Sequence, residues 1–134
     1  DIVLFTLSFH HVPIEKMSRA INEALRVVKS QGHIIFLEPS FTGSFFDAEI
    51  QFDACDGDER KEKAAAYVAM LSHPGLQEIV ESPDETIFKF NDLNDFIMTM
   101  APKRNNASLP SFLQSHDYTL HAQRRINIFR PRLS

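Results

Sequence analysis

Two short apolar runs near the start of the chain, at residues 2–5 and 34–37, contain branched and aromatic side chains with no polar residue alternating through them. Such runs are typical of strands buried on both faces, as in the centre of a parallel sheet. Between the runs, apolar residues recur at three- and four-residue spacing from Met17 to Val28, which predicts an amphipathic helix. Because two strands joined by one helix are usually parallel neighbours, residues 1–39 are predicted to form a βαβ unit.

The segment after this unit predicts, in order, a loop, a helix, a turn and a strand. Residues 40–54 combine phenylalanines with Ser, Thr and Gly after the end of a strand, and we expect a loop there. Residues 56–72 predict a helix whose first half is nearly all charged and therefore solvated. The Ser-Pro-Asp sequence at residues 82–84 predicts a turn, and residues 86–90 predict a strand.

The last part of the chain predicts one further clear helix and a long strand. Residues 93–100 place apolar side chains at helical spacing, and Asn91 or Asp92 can cap that helix. Residues 119–130 then alternate between apolar and polar positions. This pattern predicts one long strand, or two strand segments about a bulge near Arg124 and Arg125.

Size, charge and cysteine content restrict the classes of function. A chain of 134 residues with 43% hydrophobic content is long enough for one domain with its own core. No apolar run approaches the roughly 20 residues of a membrane span, and no basic leader is visible, so we expect no membrane partner. A single cysteine cannot form an internal disulfide, which favours a cytoplasmic location. The net charge of -4 argues against general nucleic-acid binding, although four arginines make the C-terminus basic: Arg124, Arg125, Arg130 and Arg132.

Candidate chemistry lies where the two apolar strands end. Ser8, His10 and His11 follow the first strand, and Glu38 ends the second. Because the carboxyl ends of parallel strands meet at one edge of a sheet, we expect these side chains to share that edge. A histidine there can act as a general base. The alternative, which the residues leave open, is that both histidines cap the loop by bonding to the backbone.

Two other types of site are not favoured. A metal site made of His10, His11 and Glu38 is not expected, because neighbouring side chains in an extended segment point apart. The acidic residues around Cys55 do not follow the spacing of a calcium loop either, so we expect no metal. The same acidic surroundings raise the pKa of a thiol, and Cys55 is therefore expected to be inert.

The pattern of residues 1–39 resembles the second half of class I S-adenosylmethionine-dependent methyltransferases, and the rest of the chain resembles them only loosely. In that family a strand that starts at Asp leads into a Leu- and His-rich loop and a helix, and the next strand ends in Glu-Pro. The corresponding residues here are Asp1, Leu7, His10, His11, Val12, Pro13, residues 24–29, Gly32, Glu38 and Pro39.

The resemblance implies a fold and a set of roles. The fold would be α/β, a partial Rossmann-like, methyltransferase-type sheet with parallel strands near residues 1–7 and 33–38, added C-terminal strands and flanking helices. The strand at residues 119–130 would form its antiparallel edge. The cofactor would be S-adenosylmethionine. Ser8 and His10 would line its pocket, His10 or His11 would be the catalytic base, and the substrate would lie near Glu38, Phe41 and Phe45. For the two phenylalanines, simple packing into a core remains an open alternative.

One feature of the family has no counterpart in this sequence. Its cofactor is held mainly by a glycine-rich loop, but no two of the four glycines here have G-x-G spacing. We therefore expect a truncated, methyltransferase-like single domain over residues 1–134, whose complete relative would transfer a methyl group to a small molecule. This chain alone is expected to bind no S-adenosylmethionine and to be inactive. Whether it is an enzyme stays open.

The alternative function is a stand-alone, non-catalytic module derived from the same fold. Without a neighbouring strand, the strand that runs from Ile2 to Leu7 would present an unpaired apolar edge. We expect such an edge to pair with a second copy, giving a homodimer. A small-molecule pocket near Phe41, Phe45 and Phe46, with no chemistry, is a further form of this alternative.

Overall fold

The computed structural model describes residues 1–133. In that part of the chain, strands and helices alternate around one mixed sheet. The elements are, in chain order, β1 (Ile2–Thr6), α1 (Met17–Val27), β2 (His33–Pro39), α2 (Ser44–Phe52), α3 (Arg60–Ser72), β3 (Leu76–Lys89), α4 (Leu93–Met100), α5 (Leu109–Ser115) and β4 (Thr119–Pro131). Short 3-10 helices lie at Phe9–His11, Ile14–Lys16 and Asn106–Ser108.

The sheet has four strands in the order β1-β2-β4-β3. β1 runs parallel to β2, with Leu4 opposite Ile35. β4 runs antiparallel to β2, so that Ile128 lies opposite Ile35 and Arg125 lies opposite Glu38. The predicted βαβ unit and the α/β class are therefore confirmed, as is the long strand near residue 119. β4 is not an edge strand as expected, because it lies between β2 and β3.

The chain divides into two compact units. Unit 1 comprises residues 1–40, 60–84 and 124–133, and unit 2 comprises residues 41–59 and 85–123. The expectation of a single domain stays a prediction.

Unit 1 buries one face of the sheet beneath α1 and α3. At the centre of its core, the ring of Phe36 stacks on Phe5 with the centroids 4.9 Å apart and meets Phe9 and Phe129 edge-on at 4.9 and 5.7 Å. The buried apolar residues of this core are Phe9, Met17, Ile21, Ala24, Val28, Ile34, Phe36, Ala66, Met70, Leu76 and Phe129. The helical spacing of α1 supplies this face as predicted, and β1 and β2 contribute every second side chain to it, which their continuous apolar runs did not predict.

β1 is an edge strand, and its expected burial on both faces is wrong. Val3 and Phe5 pack against the core of unit 1, whereas Ile2 and Leu4 are 62% and 58% exposed. Within residues 1–133, β1 pairs with β2 and with no strand on its other side. The continuous apolar run is therefore an edge strand. One of its faces is exposed, and within residues 1–133 no strand pairs with the backbone groups on its outer side.

The turn predicted at residues 82–84 is also wrong, because β3 is continuous from Leu76 to Lys89. β3 is the other edge of the sheet, and a proline is tolerated in an edge strand because the N–H groups on its outer side have no partner in the ladder. Asp84 holds this part of β3 to β4, since its carboxylate accepts a hydrogen bond from Arg124 Nε at 2.7 Å.

Unit 2 has a separate apolar core. It consists of Phe45, Phe46, Ala48, Phe52, Ala54, Phe90, Phe96, Met100, Leu109, Leu113, Leu120 and Ala122. The helix predicted at residues 93–100 is confirmed, and its predicted cap is Asp92, whose Oδ1 accepts the N–H of Asp95 at 2.8 Å.

The loop predicted over residues 40–54 contains a helix instead. In α2, the side chains of Phe45, Ala48, Glu49 and Phe52 recur at helical spacing and are buried, which is a stronger signal than the local Ser and Thr content. Gly43 lets the chain leave β2 and enter α2, because its φ is +125° and a Cβ there would clash with the carbonyl oxygen of His121.

The helix predicted over residues 56–72 begins four residues later than expected, at Arg60. Cys55 and Gly57 have positive φ values of 54° and 69°, and this left-handed backbone turns the chain before the helix can start. Within its charged first half, Lys63 is buried rather than solvated. The long aliphatic stem of a lysine can pack against apolar neighbours, which charge patterning does not reveal.

Candidate functional site

The candidate site lies where β1 and β2 end, at the edge of the sheet that the sequence indicated. Beyond β1 the backbone N–H of Leu7 donates to the carbonyl of Leu37 at 2.7 Å, and Leu7 itself has a positive φ of 51°. A leucine in this region costs about 1–2 kcal/mol relative to the right-handed conformation. The following 3-10 turn is anchored by Phe9, which is fully buried. The 3-10 turn therefore places the next residue, His10, beside Glu38 near the end of β2.

His10 and Glu38 form a buried pair at that point. The backbone N–H of His10 donates to Glu38 Oε1 at 2.9 Å, and His10 Nδ1 lies 3.2 and 3.3 Å from Oε1 and Oε2 of the same carboxylate. His10 is 4% exposed and Glu38 is 1% exposed. A carboxylate accepts only, so this contact favours the imidazole tautomer with the proton on Nδ1. In that tautomer Nε2 is the ring nitrogen that carries no proton.

Arg125 is a third charged group of this region, and sequence reasoning did not select it for the site. It lies opposite Glu38 in the β2–β4 register, donates from Nε to Asn127 Oδ1 at 2.7 Å, and has its guanidinium carbon 3.7 Å above the ring of Tyr67. Burial lowers the pKa of Arg125, and the negative charges of Glu81 and Glu38 offset part of that effect. Only the register of β4 against β2 places Arg125 beside Glu38, and the local sequence does not reveal that register.

A polar network continues from Arg125 to α3 and β3. Asn127 is fully buried, and its Nδ2 donates to Glu81 at 2.9 Å and to Glu78 at 3.3 Å. The hydroxyl of Tyr67 also donates to Glu81, at 2.5 Å. This bond raises the pKa of Tyr67 and, together with the bond from Asn127, lowers the pKa of Glu81. The buried polar atoms of this network therefore have partners, and they connect α3 to both C-terminal strands.

The other residues selected from the sequence divide between the two units. Ser8 and His11 are exposed in unit 1, and the ring of His11 lies 4.1 Å from that of His10. Phe41 and Phe45 belong to unit 2, where Phe45 is buried and stacks on Phe88 at 4.3 Å while Phe41 is partly exposed. The structure thus joins His10 to Glu38 directly. Cofactor and substrate roles for these residues stay predictions.

Cys55 has the electrostatics of an inert thiol, as the sequence indicated. Cys55 is exposed as a residue, but partial burial of its sulfur raises the pKa of Cys55 to about 11, and the carboxylates of Asp56 and Glu49 act in the same direction. The acidic neighbours predicted the sign of this shift, but desolvation is the larger cause.

We expect alkylation of Cys55 by iodoacetamide to be at least about tenfold slower in the folded chain than in the denatured chain near pH 8, because only the thiolate reacts. The rate should rise with pH until about 11, the pKa of this thiol. Mass spectrometry of timed samples measures both rates. Equal rates in the folded and denatured chains would contradict the raised pKa.

Comparisons with known proteins agree with the fold. Residues 1–36 match the methyltransferase domain family. A solved structure of a candidate methyltransferase from Bacillus halodurans C-125 is similar with a TM-score of 0.56 and 18% identity, covering 96% of this chain and 63% of that chain. This chain therefore spans less than two thirds of that protein. No curated protein matches.

Residues 1–36, which include β1 and α1, are thus similar to a methyltransferase domain, and the chain is similar in fold to that solved structure. At 18% identity the structural similarity shows the fold alone. Among the helices of residues 1–133, none is long and apolar enough to cross a membrane.

Proposed function

We propose that this chain is the C-terminal part of a methyltransferase whose catalytic base is His10, and that the complete protein methylates a small molecule. The observation that carries the proposal is the buried His10–Glu38 pair at the carboxyl ends of two parallel strands. Ligands bind in open α/β sheets at this edge. The match of residues 1–36 to the methyltransferase domain supports the reaction class.

In this proposal the pair moves a proton through the imidazole of His10. Glu38 accepts the Nδ1 proton and fixes the ring, so that Nε2 can take a proton from a hydroxyl, amine or carbon acid of the substrate as that group becomes a nucleophile. The imidazolium that forms would lie against a carboxylate, which stabilises its charge. S-adenosylmethionine would supply the methyl group.

The residues of this chain fit only part of a site for that cofactor. Ser8 offers an exposed hydroxyl beside His10, but the ring of His10 is buried and its Nδ1 is already bonded to Glu38. The 134 residues contain no G-x-G loop to surround a nucleoside. We therefore derive no step through the cofactor and propose that this chain alone neither holds it tightly nor catalyses transfer.

Isothermal titration of the chain with S-adenosylmethionine and with S-adenosylhomocysteine tests this proposal. We expect a dissociation constant weaker than about 1 mM for both ligands, because most contacts to the nucleoside and methionine parts are missing. Binding in the low micromolar range would contradict it. If the chain binds either ligand tightly, the variant His10→Ala shows where it binds. Loss of that binding in the variant would mean that the ligand contacts His10.

The exposed edge of the sheet supports a second candidate, a stand-alone non-catalytic module that dimerises. β1 carries no charged side chain, and Ile2 and Leu4 are exposed on it. Natural edge strands usually bear a charge or a proline that prevents pairing. Two copies related by a two-fold axis near Leu4 would extend one sheet through β1 and bury both apolar edges.

Replacing Leu4 with lysine should convert such a dimer to a monomer, because it places a charge at the centre of the paired strands. Light scattering at micromolar concentration measures the mass. The matched control is Ile87→Lys, an equally exposed apolar residue on the opposite edge strand, β3, which should leave the dimer intact. A monomeric unmodified chain would contradict the second candidate.

Unit 2 also has a place where such a module could bind a small molecule. A cavity of about 420 Å³ is lined by apolar side chains together with polar and charged ones: Phe45, Cys55, Ile87, Phe88, Lys89, Phe90, Asp95, Thr99 and Met100. Cavities of this size that combine apolar walls with a few polar groups suit small organic ligands. Phe45 is predicted to lie near a ligand, and a small molecule in this cavity would contact its ring.

A further inference from the structure

A second cavity lies at the other end of β2 from Glu38, where that strand begins. Its volume is about 600 Å³. Its polar wall consists of Ser30, Gln31, His33, Gln77, Arg130 and Arg132. Every side chain of this wall can donate a hydrogen bond, and none of these described residues carries a carboxylate.

The two arginines of this wall are held in place by uncharged groups. Arg132 donates from Nη2 to the carbonyl of Leu76 at 3.1 Å, and its backbone N–H donates to the carbonyl of Gly75 at 2.8 Å. Arg130 donates from Nε to Gln77 Oε1 at 3.3 Å. These bonds orient both guanidinium groups without neutralising them, and within residues 1–133 neither group makes another hydrogen bond.

No carboxylate of residues 1–133 forms an ion pair with either arginine. The carboxylate of Asp1, whose backbone carbonyl accepts the N–H of His33 at 3.0 Å, is itself paired with Lys29 at 3.2 Å. The cavity is therefore a concentration of positive charge in a chain whose net charge is -4.

The other two C-terminal arginines differ in this respect. Arg124 pairs with the carboxylate of Asp84, and Arg125 lies over Tyr67 beside Glu38. The basic C-terminus therefore divides into two compensated arginines at the candidate site and two uncompensated ones at the cavity. Arg130 and Arg132 therefore do not belong to the polar network that joins Arg125 and Asn127 to Tyr67 and Glu81.

We propose that this cavity binds the phosphate group of a small phosphorylated molecule. A guanidinium presents a planar fork that matches two phosphate oxygens, and two such forks with fixed geometry suit a dianion. The volume exceeds that of a phosphate ion alone, and Pro131 and Leu133 give the wall an apolar part for the rest of the ligand. The site is independent of the proposed methyl transfer, because His10 and Glu38 lie at the opposite end of β2.

Nuclear magnetic resonance titrations test the proposal with inorganic phosphate and with adenosine 5′-monophosphate as probes. Adenosine serves as the uncharged control, and sodium chloride serves as the control for ionic strength. We expect saturable shifts of the backbone amides of residues 75–77 and 130–133 with both phosphates and with neither control. The monophosphate should bind more tightly than inorganic phosphate, because it also contacts the apolar wall.

Each of the variants Arg130→Gln and Arg132→Gln should weaken phosphate binding about tenfold, the effect of losing one charge-assisted pair. The matched control is Arg19→Gln, an exposed arginine of α1 in the same unit, which should change the affinity less than about twofold. Both arginines are exposed, so neither variant is expected to unfold the chain. Shifts no larger than those in sodium chloride, or equal affinity in both cavity variants and the control, would overturn the proposal.

Discussion

Replacing Glu38 with alanine is expected to lower the free energy of unfolding by about 3 kcal/mol. The carboxylate accepts two hydrogen bonds from His10, one from the backbone N–H and one from Nδ1, in a site where both side chains are buried. Each buried donor that loses its partner costs about 1–3 kcal/mol, and the removed side chain leaves a void. Arg125 would also lose a nearby negative charge.

Urea denaturation of the two proteins measures this difference. Glu15→Ala is the control, because Glu15 is exposed and its removal should change stability by less than about 0.5 kcal/mol. The loss of stability in Glu38→Gln should be smaller than in Glu38→Ala and larger than in Glu15→Ala, since the amide oxygen of glutamine can replace one of the two carboxylate acceptors. A loss below about 1 kcal/mol for Glu38→Ala would mean that the pair contributes little to holding the strand ends together.

Replacing Phe36 with alanine should have the largest effect in the chain, a loss of about 3–5 kcal/mol. Phe36 is fully buried on β2 and contacts the rings of Phe5, Phe9 and Phe129, so the deletion opens a cavity between three elements that cannot all move inward. The aromatic contacts add to the loss of buried apolar area.

The control for this variant is Phe41→Ala, which removes the same atoms from a partly exposed position. We expect a loss below about 1 kcal/mol there. Thermal or urea unfolding, followed by circular dichroism, compares the two. Equal losses would contradict the assignment of Phe36 to the centre of the core of unit 1.

The βαβ unit could be predicted because its signals are local. The apolar face of α1 and the two apolar runs are set by residues close in sequence, and the short connection fixes the parallel order. The position of β1 in the sheet could not be predicted in the same way. An apolar run shows that a strand can be buried on both faces, but the number of neighbours depends on pairing with distant segments.

The errors further along the chain have the same cause. Pro83 signals a turn in most contexts, but it is accommodated within β3 because that strand is an edge. The Ser, Thr and Gly content before α2 suggested a loop, whereas the burial of Phe45 and Phe52 in unit 2 decides for a helix. In both cases the tertiary contacts outweigh the local propensity.

The candidate site could be predicted in part. The rule that parallel strands end at one edge was enough to expect His10 near Glu38, and the structure adds that the ring and the carboxylate are in contact. Arg125 and Asn127 could not be selected, because their place beside Glu38 depends on the register of β4 against β2. That register joins residues far apart in the sequence, and no local pattern encodes it.

The tautomer of His10 tests the central claim most directly, since a base that acts through an unprotonated Nε2 requires the Nδ1 proton to be held by Glu38. Long-range nitrogen–proton correlation spectra of the imidazoles, recorded near pH 8 where an ordinary histidine is neutral, distinguish the two nitrogens. We predict the Nδ1–H tautomer for His10 in the unmodified chain and a mixture of tautomers in Glu38→Ala. A His10 that carries its proton on Nε2 would contradict the account.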